Sequence, residues 1–318
     1  MNKKKQAKEV YLVTGCSGFI GYHWTKYLLK KNKTVLGIDL KPFPDHTLKK
    51  NKNFSFYHKS IFDFNLVKKL LNKADIVCHF AGIAEPQRYL DYPEKVINLT
   101  AFQSIKIIKH CLDKNKLFFF TSTSEIFGMN PEVPFRENSN RVLGSSSISR
   151  WCYSTSKSIV EHYLYACSFE KRLNFVGVRL FNIYGKYLKG RVVSTFLEKA
   201  IKNEDLNINL PGTQTRSFMY IDDCINIMYR ILNNRKSRNK FFNIGTYNQT
   251  SVLKLAKLIK KIANSRSKIK LKKEKNKNFQ DIPARSTKMI EVKKLFNYKI
   301  KFSLERGLKI YFNQLKDN

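Results

Sequence analysis

Tyr153 and Lys157 lie four residues apart in a stretch whose apolar spacing predicts a helix over 153–169, so both side chains project from one face. An ammonium beside a phenol lowers the cost of forming phenolate, which is what a hydroxyl oxidation needs: Tyr153 takes the hydroxyl proton as hydride leaves the same carbon. Upstream, the apolar run 117–120 ends in Thr121-Ser122-Thr123-Ser124-Glu125. Thr123 can share a hydrogen bond with the oxygen that Tyr153 deprotonates, orienting it for transfer. Ser124 and Glu125 follow on the same loop, where a carboxylate can serve as acid or base, hold a water, or simply cap the turn before Phe127-Gly128. A second constellation supplies a hydride acceptor. Thr14-Gly15-Cys16-Ser17-Gly18-Phe19-Ile20-Gly21 is a G-x-x-G-x-x-G turn between an apolar run and a helical pattern, the sequence of a backbone cradle for a pyrophosphate at a helix N-terminus. Asp39 stands eighteen residues after Gly21, where a carboxylate accepts from both ribose hydroxyls and repels a 2′-phosphate, favouring NAD over NADP.

These groups need a frame, and the hydrophobic periodicity provides one. Strands are predicted over 9–14, 34–39, 54–58, 75–80, 116–122 and 174–180, and helices over 19–31, 64–71, 93–112 and 153–169. Strands alternating with helices imply an α/β fold, a doubly wound parallel sheet. Beyond residue 182, helices over 192–202, 222–232, 251–263 and 304–312 alternate with short strands and a charged loop over 270–278, the texture of a smaller C-terminal α/β substrate-binding part. The expected division is residues 1–181, completed by parts of 213–245, and residues 182–318. Asp63, in Ser60-Ile61-Phe62-Asp63, follows the third strand, where it can reach an adenine amino group or cap the next helix. Phe80-Ala81-Gly82 ends the fourth strand with small residues that let a cofactor lie against backbone. His79 reads as an interior histidine.

The composition narrows the class. The 318 residues are 42% hydrophobic and 13% aromatic, enough for a sizeable core. No run approaches the roughly 18 apolar residues of a membrane span, and the expectation is a cytoplasmic protein without membrane insertion. Six scattered cysteines without a C-x-x-C pair suggest neither a zinc site nor a disulfide framework. The 60 Lys+Arg against 24 Asp+Glu leave a charge of +36. The excess is mostly lysine spread along the chain without a nucleic-acid-binding motif, so it reads as a solvated surface that can also steer an anionic substrate.

Residues 14–21 with Asp39, Thr123, Tyr153 and Lys157 resemble the extended short-chain dehydrogenase/reductases that act on nucleotide-linked sugars, the NAD-dependent epimerase/dehydratase family. The resemblance implies a Rossmann domain, a sugar-nucleotide domain, a tightly held NAD and a homodimer joined through a four-helix bundle that includes the Tyr153 helix. It implies cofactor contacts from Gly15, Gly18, Phe19, Ile20, Gly21, Asp39, Ile61, Asp63, Phe80, Ala81, Gly82, Tyr153 and Lys157. Ser122-Thr123-Ser124-Glu125-Ile126-Phe127-Gly128 is similar to a segment of UDP-glucuronate decarboxylases and of GDP-mannose 4,6-dehydratases. Gly190-Arg191-Val192-Val193-Ser194 and residues 212–218 resemble UDP-xylose synthases, and Ser149-Arg150-Trp151-Cys152-Tyr153-Ser154 the decarboxylase domain of the aminoarabinose pathway. By position, Arg216 is implied near the sugar as proton donor or phosphate ligand, Asn182 and Arg285 near the nucleotide phosphates, and Tyr89, Arg191 and Val192 at the substrate. Phe127 for a usual Tyr, Gly82 for a usual Ala, and Ser154-Thr155-Ser156 between Tyr153 and Lys157 depart from the pattern. The expected reaction runs through a 4-keto sugar and is closest to UDP-glucuronate decarboxylation. Alternatives are a UDP-glucose or UDP-glucuronate 4-epimerase, a 4,6-dehydratase, and a non-catalytic NAD-binding or nucleic-acid-associated protein.

Overall fold

The computed structural model describes residues 9–273 and 282–316. Its strands are β1 (Val10–Thr14), β2 (Thr34–Asp39), β3 (Phe54–His58), β4 (Ile76–His79), β5 (Leu117–Thr123), β6 (Phe175–Leu180), β7 (Asn182–Tyr184), β8 (Leu206–Asn209), β9 (Thr215–Tyr220), β10 (Lys240–Ile244), β11 (Gln249–Ser251), β12 (Ile269–Lys272) and β13 (Ala284–Arg285). Seven of them form one sheet in the order β10-β6-β5-β4-β1-β2-β3. Every neighbouring pair in it is parallel. Such strands are covered on both faces, so their side chains alternate between two apolar layers. Tyr11, Val13 and Phe119 join one layer. Leu12, Phe118 and Phe120 join the other. The order reverses between β1 and β4, the switch point where ligands bind outside the carboxyl ends of the strands.

The last third supplies the smaller sheets. β9 pairs antiparallel with β11 and parallel with β13 and β7, and β8 pairs parallel with β12. Asp223, in the helix Ile221–Leu232, ties the C-terminal stretch to the large sheet by accepting from the Tyr298 hydroxyl at 2.7 Å and from the Phe302 amide at 3.0 Å.

Two expectations change. The helix expected over 93–112 is a short helix Pro93–Ile97, a π-helical turn Asn98–Phe102 and a second helix Gln103–Asp113. The buried Ser104 hydroxyl donates to the Thr100 carbonyl at 2.6 Å and meets His79 Nε2 at 2.9 Å, and a side chain inserted beside the backbone ladder favours such a widened turn. His79 is thereby an interior histidine, with Thr14 Oγ1 2.7 Å from its Nδ1. The loop expected over 270–278 begins instead inside β12, whose Ile269 and Leu271 alternate with lysines along an edge, and residues 274–281 lie outside the described residues. The short helices Pro86–Asp91 and Ile290–Phe296 carry too few turns to show periodicity in the sequence.

Candidate active site

At the carboxyl end of β1, Gly15 takes φ +72°, and a Cβ there would lie 2.7 Å from the Ala81 amide nitrogen. A Cβ on Gly21 would lie 2.0 Å from the Gly15 carbonyl oxygen, so the turn closes onto its own helix only with glycine. The helix Phe19–Lys30 begins at Gly18 with no side-chain cap and no acidic residue in its first turn. Its amides therefore face outward toward an anion. Asp39 ends β2 half-buried, accepting from the amides of Ser17 at 2.9 Å and Lys41 at 2.8 Å, which fixes its carboxylate beside this turn. A dinucleotide fits these groups: a cradle without Cβ atoms, an uncapped helix end and a fixed carboxylate.

A cavity of about 870 Å³ runs from this turn to the end of β5 and on to β9 and β13. Ile61 and Asp63, expected at the cofactor, are not among its lining residues. Ile61 is buried in the core, and Asp63 caps the helix Phe64–Lys73, its Oδ1 accepting from the Leu66 amide at 3.2 Å. Phe80 and Gly82 line the cavity, while the Ala81 amide donates to Thr14 Oγ1 at 3.3 Å.

β5 ends in a tight 3-10 turn, Ser124–Phe127, for which Thr123 is the cap: its Oγ1 accepts from the Glu125 amide at 3.2 Å. The turn buries Ser124 and swings the Glu125 side chain into the cavity. The helix Cys152–Lys171 places Tyr153 and Lys157 opposite this segment. Tyr153 is buried facing the Thr123 end of β5, and burial, with the charge of Glu125, pushes the phenol up while Thr123 opposes the shift. Lys157 Nζ donates to the Thr121 carbonyl at 2.7 Å and sits 4.5 Å from the centre of the Phe120 ring. Burial pushes this ammonium down to about 7, against the opposing pull of Glu161.

Glu125 is the centre of a charge cluster. Arg150 reaches its Oε2 at 2.6 Å, and Arg285 and Arg191 approach Oε1 at 3.3 and 3.8 Å. Burial opposes the charged carboxylate, but the three guanidiniums together outweigh it and hold Glu125 well below its ordinary value. Burial and the neighbouring Arg216 push Arg285 down to about 10. Arg285, implied by the resemblance near the nucleotide phosphates, lines the cavity and lies against Glu125, because β13 pairs with β9 at Arg216 and brings it to the end of β5. Arg216 lines the same cavity and donates to the Thr215 carbonyl at 2.8 Å. Asn182 and Val192 also line it, Asn182 with its amide tied to the Ser217 carbonyl at 3.1 Å.

Tyr89, expected as a substrate ligand, is fully buried and is not among the lining residues. Its ring stacks on Tyr153 with centroids 4.7 Å apart and planes 7° apart. Its hydroxyl donates to the Ala84 carbonyl, which also receives Arg191. Arg150 also belongs to the cluster, although in the sequence it stands out only as a member of the segment Ser149-Arg150-Trp151-Cys152-Tyr153-Ser154. The signal for it is indirect: a carboxylate buried after β5 requires a cationic partner.

The sequence pattern of the NAD dependent epimerase/dehydratase family matches residues 11–245. The bifunctional polymyxin resistance protein ArnA of Wigglesworthia glossinidia brevipalpis is 32% identical over 97% of this chain and 52% of its own length, so the chain spans about half of that relative. The UDP-N-acetyl-alpha-D-glucosaminuronate decarboxylase of Bacillus cytotoxicus is 29% identical over 95% of this chain and 96% of its own. The structure of the UDP-glucuronic acid 4-epimerase from Bacillus cereus, in complex with UDP-glucuronic acid and NAD, superposes with a TM-score of 0.87 at 25% identity, covering 97% of this chain and 99% of that one.

Proposed function

Because the chain belongs to the NAD-dependent epimerase/dehydratase family, we propose that it oxidises C4 of a UDP-sugar, and that its substrate is a UDP-uronate which it decarboxylates. The observation that carries the substrate is the distribution of buried charge. Among the described residues the buried cationic side chains are Arg150, Lys157, Arg179, Arg216 and Arg285, and all except Arg179 line the one cavity. The one buried carboxylate lining that cavity among the described residues is Glu125, which Arg150 pairs at 2.6 Å; the buried Glu161 and Asp223 are not among the lining residues, so Lys157, Arg216 and Arg285 outnumber the carboxylate charge there. Buried charge unmatched by the protein is a site for anions, here a diphosphate and a sugar carboxylate.

NAD, when bound, supplies the acceptor for a hydride from C4 and later returns it. Tyr153 takes the C4 hydroxyl proton, with Thr123 sharing the hydrogen bond and Lys157 stabilising the phenolate. The resulting C4 ketone lies β to the C6 carboxylate, so the C5–C6 bond breaks, its electron pair passes to the enolate and CO2 leaves. C5 must then regain a proton. Glu125, held as a carboxylate, does not act as the acid itself; it is suited to position a water that relays a proton from solvent to C5 and is reprotonated from solvent, so that one proton is taken up for each CO2 released. Residues 1–181 with β10 are the proposed cofactor part and 182–318 the proposed sugar-nucleotide part.

Mass spectrometry and proton NMR of the products from UDP-glucuronate test the reading. A UDP-pentose with released CO2 is expected; an isobaric product with inverted C4 coupling makes the protein a 4-epimerase instead. The similarity to the UDP-glucuronic acid 4-epimerase structure keeps that second reading specific.

Two further predictions concern NAD and assembly. A Cβ at Gly21 forces the turn open, and overpacking of this kind costs about 1–3 kcal/mol. Gly21→Ala should therefore bind NAD roughly ten- to hundredfold more weakly, read by calorimetry and by the cofactor retained on purification. A homodimer is proposed through the exposed face of the helix Cys152–Lys171, where Phe169 is 91% and Ile159 48% exposed, beside Phe102 at 63%. Apolar side chains grouped on adjoining helices mark an interaction surface. Phe169→Glu with Ile159→Glu should yield monomers by light scattering; an unchanged mass removes this face from the assembly. No helix among the described residues is long and apolar enough to cross a membrane. A reducing, cytoplasmic setting suits the six free thiols.

A further inference from the structure

We propose that Arg150 is a positioning residue for the second half of the reaction, clamping Glu125 Oε2 from behind so that Oε1, more loosely held by Arg285 and Arg191, faces the sugar, and linking that carboxylate to Tyr153 through the Tyr89 ring. The inference rests on the decarboxylase reading above. Arg150 lies in the 3-10 turn Ser149–Trp151 that leads directly into the Tyr153 helix, so one rigid piece of backbone carries both side chains. The Arg150 and Glu125 side chains are 4% and 3% exposed and 2.6 Å apart. Two rings hold the guanidinium, Tyr89 at 5.8 Å and Trp151 at 5.6 Å from its carbon. Tyr89 in turn stacks on Tyr153, so three flat groups run in series from the carboxylate to the phenol.

The two carboxylate oxygens have different company. Oε2 meets Arg150 at 2.6 Å, whereas Oε1 is approached only at 3.3 Å by Arg285 and 3.8 Å by Arg191. Without Arg150 the carboxylate is free to rotate into a short pair with Arg285, and Oε1 no longer addresses C5. C4 oxidation uses Tyr153, Thr123 and Lys157 and does not need Glu125. Loss of Arg150 should therefore separate the two halves: the C4 hydrogen still leaves and CO2 is still lost, while the proton fails to reach C5 and hydride return stalls.

The test compares Arg150→Met, Arg150→Lys, Glu125→Gln and the double variant Arg150→Met/Glu125→Gln with UDP-glucuronate as substrate. Arg150→Met should lower kcat about a hundredfold with KM changed less than about threefold. Reduced cofactor should build up in its absorbance, and the enol left after CO2 loss should escape and take its C5 proton from bulk solvent, appearing in solution as the 4-keto-pentose. Arg150→Lys, which keeps the charge, should recover about tenfold of the loss. The double variant should be no slower than Glu125→Gln, because the pair acts as one unit. The same coupling is read without substrate or cofactor as non-additive melting temperatures, and the double variant, in which both buried charges are removed together, keeps the comparison available if Arg150→Met folds poorly. Turnover of Arg150→Met within threefold of wild type, losses that multiply in the double variant, or a fall in kcat with no keto product each overturn the role of Arg150. A wild-type protein that inverts C4 without releasing CO2 overturns the decarboxylase reading, and with it the need for a proton at C5.

Discussion

Tyr153→Phe is expected to lower turnover about a thousandfold while the protein stays folded and keeps NAD, a loss in the range for removing a positioned general base. The change deletes one oxygen and spares the packing. The ring is buried and stacked on Tyr89, an arrangement that phenylalanine reproduces. Thr123 keeps its own anchor, since its Oγ1 still accepts from the Glu125 amide. The glycine turn and Asp39 are untouched, so cofactor content measured after purification should match wild type. Single-turnover hydride transfer reads the chemical step directly; residual activity above roughly a tenth of wild type would show that another group takes the C4 proton.

The parts of the site that could be read in the sequence are those whose geometry is local. The glycine spacing of 14–21 specifies a backbone turn by itself, and Asp39 is tied to it by the length of one helix and one strand. Tyr153 and Lys157 share a helix face by arithmetic alone. The parallel α/β sheet follows from alternating elements, and the seven-stranded sheet bears it out. The arginine cluster is of another kind. Glu125, Arg150, Arg191 and Arg285 come from four separate segments, and only the pairing of β13 with β9 brings Arg285 to the end of β5. Asp63 shows the opposite limit: a carboxylate after a strand suits both an adenine contact and a helix cap, and the cap that its Oδ1 makes to Leu66 does not decide between them. The π-helical turn at Asn98–Phe102 preserves the apolar pattern on either side, so periodicity cannot reveal it.

The positive charge divides in the same way. Of the 60 basic residues, those buried among the described residues are few and concentrate at the cavity, while the lysines that dominate the count lie elsewhere. The long-range field can speed the arrival of an anionic substrate, and this contribution should fade as salt shortens the screening length. The buried arginines act at contact distance and should be far less sensitive to salt.

Glu125→Ala should destabilise the protein by roughly 3–5 kcal/mol, because it leaves Arg150 and Arg285 buried without their counter-charge. Glu125→Gln should cost less, since the amide oxygen still accepts from a guanidinium. The pH dependence separates charge from packing. The arginines hold Glu125 below its ordinary value of 4.5 against the opposing effect of burial, so below that value the unfolded chain binds a proton that the folded chain resists. The stabilisation is fully present above about 4.5 and is lost as pH falls beneath it. Denaturant titrations of wild type and Glu125→Gln at pH 7 and at intervals down through the acid range should show a gap that is widest at neutral pH and narrows as pH falls below the carboxylate range. A gap that stays constant would mean that the side chain contributes by shape and hydrogen bonding alone, and the charge assigned to the centre of this cluster would be wrong.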